Sequence, residues 1–119
     1  MADRAGERLG LVQGTLDMLI LRTLRLGPAH GRAIATHIRQ ATEGVLQVEH
    51  GSLYPALHRL ENRGWVAGRW EQRDRNRELK YYRLTAAGRK QLMREESRWA
   101  RLTRAIARVM TPVAGGSGS

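Results

Sequence analysis

An uninterrupted helical pattern from about Ala86 to Met110 limits what this chain can fold into. Leu92, Trp99 and Ile106 recur every seven residues, and Leu102 and Val109 fill the intervening positions. That is the spacing of a coiled-coil seam, interrupted near its start by Glu95. At 1.5 Å per residue such a helix is about 37 Å long. One small domain cannot cover its whole apolar edge. Leu92, Trp99, Leu102, Ile106 and Val109 are therefore the expected contact with a second copy of the chain, arranged as a two-fold symmetric dimer.

The residues before this helix are punctuated by glycines. Residues 1–13 read as a flexible N-terminal arm. From Gly14 to Leu26 the chain is so densely apolar that a helix buried on more than one side is expected, ended by Gly27-Pro28. A second helix is predicted from about Gly31 to Ala41. Val45-Leu46-Gln47-Val48 reads as a short β-prone run, a candidate partner for a later hairpin. A third helix is predicted from about Ser52 to Arg63, with Leu53, Leu57 and Leu60 facing inward. Pro55 is tolerated in its first turn, where backbone N–H groups lack intrahelical partners. Two strand-like runs follow, residues 65–70 and 79–84, joined by a polar loop over 72–78. Thr85 is the expected N-cap of the last helix. The expected domains are thus a unit of three helices and a hairpin over 14–85, a dimerisation helix over 86–110 and a flexible tail over 111–119.

Charge narrows the partner. The chain has 21 Lys and Arg against 11 Asp and Glu, a net charge of +10, which calls for a polyanion. It contains no cysteine, so disulfides, thiolate nucleophiles and Cys-based zinc sites are excluded. The polar N-terminus carries no apolar signal segment, and no apolar run approaches the about 20 residues of a membrane span. A soluble, cytoplasmic protein is expected.

Two helices joined by a turn and followed by a basic hairpin make a winged helix-turn-helix, a mainly α fold with a small β-hairpin wing. The B-DNA major groove admits one α-helix. The helix that enters it needs an apolar face for its own domain and an outward face of donors. Opposite Leu53, Leu57 and Leu60, the sequence spacing places Ser52, Ala56, Arg59 and Arg63, with Tyr54 and His58 flanking. Between Arg69 and Arg83 stand six basic residues (Arg69, Arg73, Arg75, Arg77, Lys80 and Arg83) against three acidic ones. Arg73, Arg75 and Arg77 are expected to crowd the wing tip, where they would follow a phosphate backbone or enter a minor groove. Solvated arginines on an ordinary amphipathic helix and a merely soluble charged hairpin are the competing readings.

Three stretches carry a more specific resemblance. Gly27-Pro28-Ala29-His30-Gly31 leads into the second helix. Gly51-Ser52-Leu53-Tyr54-Pro55-Ala56-Leu57-His58-Arg59-Leu60-Glu61 spans the third. Lys80-Tyr81-Tyr82-Arg83-Leu84-Thr85-Ala86-Ala87-Gly88-Arg89 covers the second wing strand and the start of the last helix. Together they resemble the PadR family of bacterial transcriptional regulators, over residues 14 to about 105. The resemblance implies a dimeric repressor held together by the C-terminal helix and bound to near-palindromic operators. By position it implies DNA contacts from Ser52, Tyr54 and His58, and backbone or minor-groove contacts from Arg75, Asn76 and Arg77. The sequence departs from the family at Arg32, where an aromatic residue, usually Tyr, is common; an arginine there is a further phosphate contact or a local surface change. Some family members hold flat aromatic ligands between protomers, so Trp99 is either a stacking surface for such a ligand or dimer-core packing, the latter favoured.

The DNA-contact set expected from this reading comprises Arg32, Ser52, Tyr54, His58, Arg59, Arg63, Arg73, Arg75, Asn76, Arg77 and Lys80. His30, His37, His50 and His58 show no metal-ligand spacing, and the chain has no phosphate-binding glycine loop and no recognisable acid–base pair. No metal, cofactor or catalysis is expected. The rival functions are non-specific binding of RNA or chromosomal DNA, and attachment of the basic last helix to a membrane surface. The 5% aromatic content weighs against RNA read by stacking. Seven basic residues against two acidic ones in 86–110 leave half of the net charge outside the reading unit.

Overall fold

The computed structural model describes residues 13–74 and 76–112. Residues 1–12 of the expected 1–13 arm, residues 113–119 of the expected 111–119 tail, and Arg75 lie outside the described residues. Four helices and a three-stranded antiparallel sheet follow in the order α1 (Gln13–Leu24), β1 (Ala29–His30), α2 (Gly31–Ala41), α3 (His50–Asn62), β2 (Val66–Asp74), β3 (Arg77–Leu84) and α4 (Ala86–Met110). The sheet order is β1-β3-β2.

Helix α1 is buried on several sides, as its apolar density predicts. Ile20 and Leu21 are fully buried, and α1 contacts α2, α3, α4 and β3. Around it close Ile34 and Ile38 of α2, Leu53, Ala56, Leu57 and Leu60 of α3, Val66 and Leu84 of the sheet, and Leu92 of α4. These side chains form one contiguous core, and burying each large aliphatic among them is worth about 1.5–3 kcal/mol.

Three expectations are corrected. The third strand is Ala29–His30, paired with Tyr82 and Tyr81 of β3, and not the run 45–48. Two residues are too few to show a period, so nothing in the sequence marks β1. Within 45–48 only Leu46 forms a β-bridge; the run is otherwise irregular, the Thr42 hydroxyl accepting from Leu46 N at 3.0 Å, while Leu46 and Val48 pack on the core. The wing also extends further than its apolar residues do. β2 and β3 pair from Val66↔Leu84 out to Asp74↔Arg77, with an irregularity between Gln72 and Asp74. The stretch 72–78 is therefore mostly ladder, because an exposed hairpin needs backbone pairing but has no apolar face to reveal it. Finally, Leu92 is 2% exposed in its own protomer's core, which removes it from the expected dimer seam.

Thr85 caps α4 as expected, accepting from Gly88 N at 3.0 Å. Its own N–H donates to the Trp65 carbonyl at 3.1 Å, which closes the wing against the start of α4. The contact needs Gly88, since a Cβ there would sit 2.0 Å from the same carbonyl oxygen. Alanine ordinarily favours a helix over glycine by about 1 kcal/mol. Gly88→Ala is nevertheless expected to destabilise the protein by about 2 kcal/mol, because the backbone must shift. Gly51→Ala, with nothing within 4 Å of the new Cβ, should be neutral or stabilising; urea unfolding of the two variants checks the contrast.

Candidate nucleic-acid interface

The site is built where α2, α3 and the wing meet. His30 begins it: its Nδ1 caps α2 by accepting from Ala33 N at 3.2 Å, and its ring stands edge-on to Tyr81 at 5.4 Å. Arg32 follows in the first turn of α2, exposed. Across from it, the Tyr54 ring lies so close to Gly31 that a Cβ would meet it at 2.8 Å. Glycine at 31 thus lets the start of α2 seat against α3.

Between these elements and the wing lies an open cleft of about 600 Å³. Five of the expected residues line it: Arg32, Tyr54, His58, Arg77 and Lys80. The wing adds Trp70, 62% exposed, and His30 joins from the sheet edge. Neither Trp70 nor His30 was in the expected set. Trp70 carries a signal in retrospect, since its partner in the ladder is Lys80 and the two therefore share a face. Ser52 is exposed on the first turn of α3, and Asn76 is exposed at the wing tip. Arg73 lies over the Tyr81 ring at 5.5 Å, and Arg63 over Trp65 at 5.2 Å, so both guanidiniums are partly steered by aromatic faces.

The outward stripe Ser52, Ala56, Arg59, Arg63 does not hold as a unit. Ala56 is fully buried, and Arg59 turns inward to Asp17 of α1 at 2.6 Å. Its Nε is buried without a hydrogen-bond partner. The helix turns the 56/59 edge toward α1, a rotation that the i, i+4, i+7 spacing of Leu53, Leu57 and Leu60 left open. Lys80 is likewise committed: its Nζ donates to Glu61 at 2.9 Å, and it stands 5.4 Å from the Tyr82 ring centroid. The Glu61 hydrogen bond holds the ammonium above its ordinary 10.5. Lys80 thus ties the wing to the end of α3, although it also borders the cleft.

Residues 20–94 match the transcriptional regulator PadR-like family. The chain belongs to the PadR-like family of transcriptional regulators. A PadR family transcriptional regulator from Eggerthella lenta is 32% identical, with 85% of this chain and 86% of that one covered and a TM-score of 0.74. A transcriptional regulator from Clostridium thermocellum is 27% identical, with 84% and 96% covered and a TM-score of 0.75. Bacillus subtilis PadR, solved in complex with operator DNA, is 28% identical at a TM-score of 0.61, with 66% of this chain and 44% of that one covered. Four helices and a small antiparallel sheet with a long C-terminal helix are the winged-helix fold of these PadR regulators. Among the described residues no helix is long and apolar enough to cross a membrane.

The Asp17–Arg59 pair has a pH signature. Burial raises the Asp17 carboxyl above its ordinary 3.8, outweighing the hydrogen bond and charge of Arg59. A folded-state value above the unfolded one means that folding favours the protonated acid. Stability from this group is full below 3.8 and declines as pH rises through the raised value. Measured against Asp17→Asn, the wild-type protein should lose relative stability over that window and then level off, the opposite of an ordinary salt-bridged carboxylate. Arg59→Ala, which strands the carboxylate, should cost about 2–3 kcal/mol at neutral pH by chemical denaturation.

Proposed function

We propose that this PadR-like regulator is a repressor that binds duplex DNA sequence-specifically as a homodimer on a near-palindromic operator. The observation that carries the reading is the cleft beside α3, where Arg32 and Arg77 flank an outward helix face bearing Tyr54 and His58. Ser52, Tyr54 and His58 reach base edges, while Arg32, Arg77 and the other wing arginines, Arg75 included, engage phosphates or the minor groove. Asn76 at the tip, with Arg63 and Arg73 held over their aromatic rings, completes the contact surface. Arg59 and Lys80 serve it indirectly, one by seating α3 on α1, the other by fixing the wing angle. The operator complex of Bacillus subtilis PadR supports the reading by its shared fold.

The dimer rests on the outer half of α4. Trp99, Leu102, Ile106 and Val109 are 44%, 49%, 50% and 83% exposed, an apolar edge that a second copy would bury. Relief by a small molecule belongs to the same proposal. An apolar cleft of about 310 Å³ between the start of α1 and Trp99 and Leu102 of α4 is where a flat aromatic ligand would enter between protomers and alter the spacing of the two reading heads.

A mobility-shift titration on duplex from the protein's own promoter region, with excess unrelated competitor, tests the central reading. A discrete complex that survives competition supports it; binding erased by competitor supports the alternative of a non-specific nucleic-acid binder. Arg77→Ala should weaken all duplexes alike and lower the salt slope by about 0.9. Tyr54→Ala should instead weaken operator binding selectively, by about 1–3 kcal/mol. Leu102→Glu with Ile106→Glu should yield a monomer in sedimentation equilibrium with unchanged helicity.

A further inference from the structure

Half of the net charge lies on α4, with seven Lys and Arg against two Glu, and the structure shows how it is arranged. Successive residues turn by about 100° around a helix axis. Lys90, Arg94, Arg101, Arg104 and Arg108 therefore fall on one face, and all five are exposed. The stripe runs from Lys90 to Arg108, about 27 Å at 1.5 Å per residue. It lies opposite the edge formed by Leu92, Trp99, Leu102 and Ile106. The two acidic residues of α4 do not neutralise it. Glu96 is turned to Arg22 of α1 at 2.6 Å, and Glu95 pairs with Arg98 at 2.8 Å. Because the Leu92 side of α4 is the side packed on α1, the stripe points away from the reading unit.

We propose that this outer face of α4 is a second duplex-DNA contact. It binds the phosphate backbone of a segment other than the one at the reading head, without sequence choice. Four of the five cations are arginines, whose planar fork suits phosphate oxygens. The stripe lies along one continuous helix and spans about three quarters of one turn of B-DNA, which is about 34–36 Å. A membrane is the poorer occupant: an interfacial helix must bury its apolar face at the acyl boundary, and here that edge is sealed in the core at Leu92 and is otherwise the surface proposed for the second copy. A regulator with this second surface bridges two DNA segments, so that operator occupancy and compaction of neighbouring DNA occur together.

The test uses the full chain and a variant, Arg94→Gln/Arg101→Gln/Arg104→Gln/Arg108→Gln, in which glutamine keeps helix propensity. One duplex is fixed to beads and a fluorescent unrelated duplex is offered as the second. The wild-type protein should capture the second duplex. The variant, with unchanged helicity and oligomeric state, should load on the fixed duplex yet capture at least about tenfold less of the second. To keep this independent of the reading head, both proteins are also made with Tyr54→Ala/Arg77→Ala. Residual duplex binding should persist in that background and weaken at least about tenfold when the stripe is substituted, with the salt slope falling by up to about 3.6 for four phosphate contacts. Equal capture by the stripe variant, or no residual binding in the head-disabled protein, would overturn the proposal. So would tighter binding to phosphatidylserine vesicles than to duplex, or displacement of the second duplex by single-stranded RNA at lower concentration than by DNA. Failure to select an operator would leave these readouts unaffected and count only against the reading head.

Discussion

Everything else in this fold is referred to α1. Its Ile20 and Leu21 are fully buried, and its surface is shared among α2, α3, α4 and β3. A helix enclosed on several sides cannot rotate or slide without opening cavities against more than one neighbour, and interiors at close-packed density resist that. Two ion pairs fix its ends to what it carries: Asp17 to Arg59 on α3 and Arg22 to Glu96 on α4. Helices α3 and α4 do not need to touch, because both are clamped to the same rod.

The two clamps differ in kind. Arg22–Glu96 is largely exposed and worth little in water. Asp17–Arg59 is more enclosed, and the desolvation of Asp17 exceeds what its partner returns. Such a pair contributes more to the orientation of α3 than to net stability. Lys80 does similar work on the other side: by reaching Glu61 and lying over Tyr82, it sets the wing at a defined angle to α3. The cleft between wing and α3 is thus bordered by the Lys80–Glu61 pair and also lined by the exposed Arg32 and Arg77.

Much of this was legible in the chain. The buried character of α1, the bounds of α2 within a residue, the cap at Thr85 and the length of α4 follow from apolar density, glycine stops and a threonine before a helical run. The motifs around Gly-Ser-Leu-Tyr-Pro and Lys-Tyr-Tyr pointed to the PadR-like family. Of the expected contact residues, Arg32, Tyr54, His58, Arg77 and Lys80 come to one cleft. The misses share a cause. β1 is two residues long, the outer wing is polar, and Arg59 and Leu92 have partners far away in sequence. None of these leaves a periodic local trace.

The sequence by itself determined which segments are helices and where they stop, because propensity, periodicity and capping act over a few neighbouring residues; its motifs separately resembled the PadR-like family. Only the tertiary structure decided which way each helix is rotated. That rotation turns Arg59 inward and Tyr54 outward on the same helix, takes Leu92 into its own protomer, and leaves Trp99, Leu102 and Ile106 uncovered. Helical spacing places side chains on a common face but does not say what the face meets; that depends on contacts between residues distant in the chain, such as Asp17 with Arg59, which form only when the whole core closes.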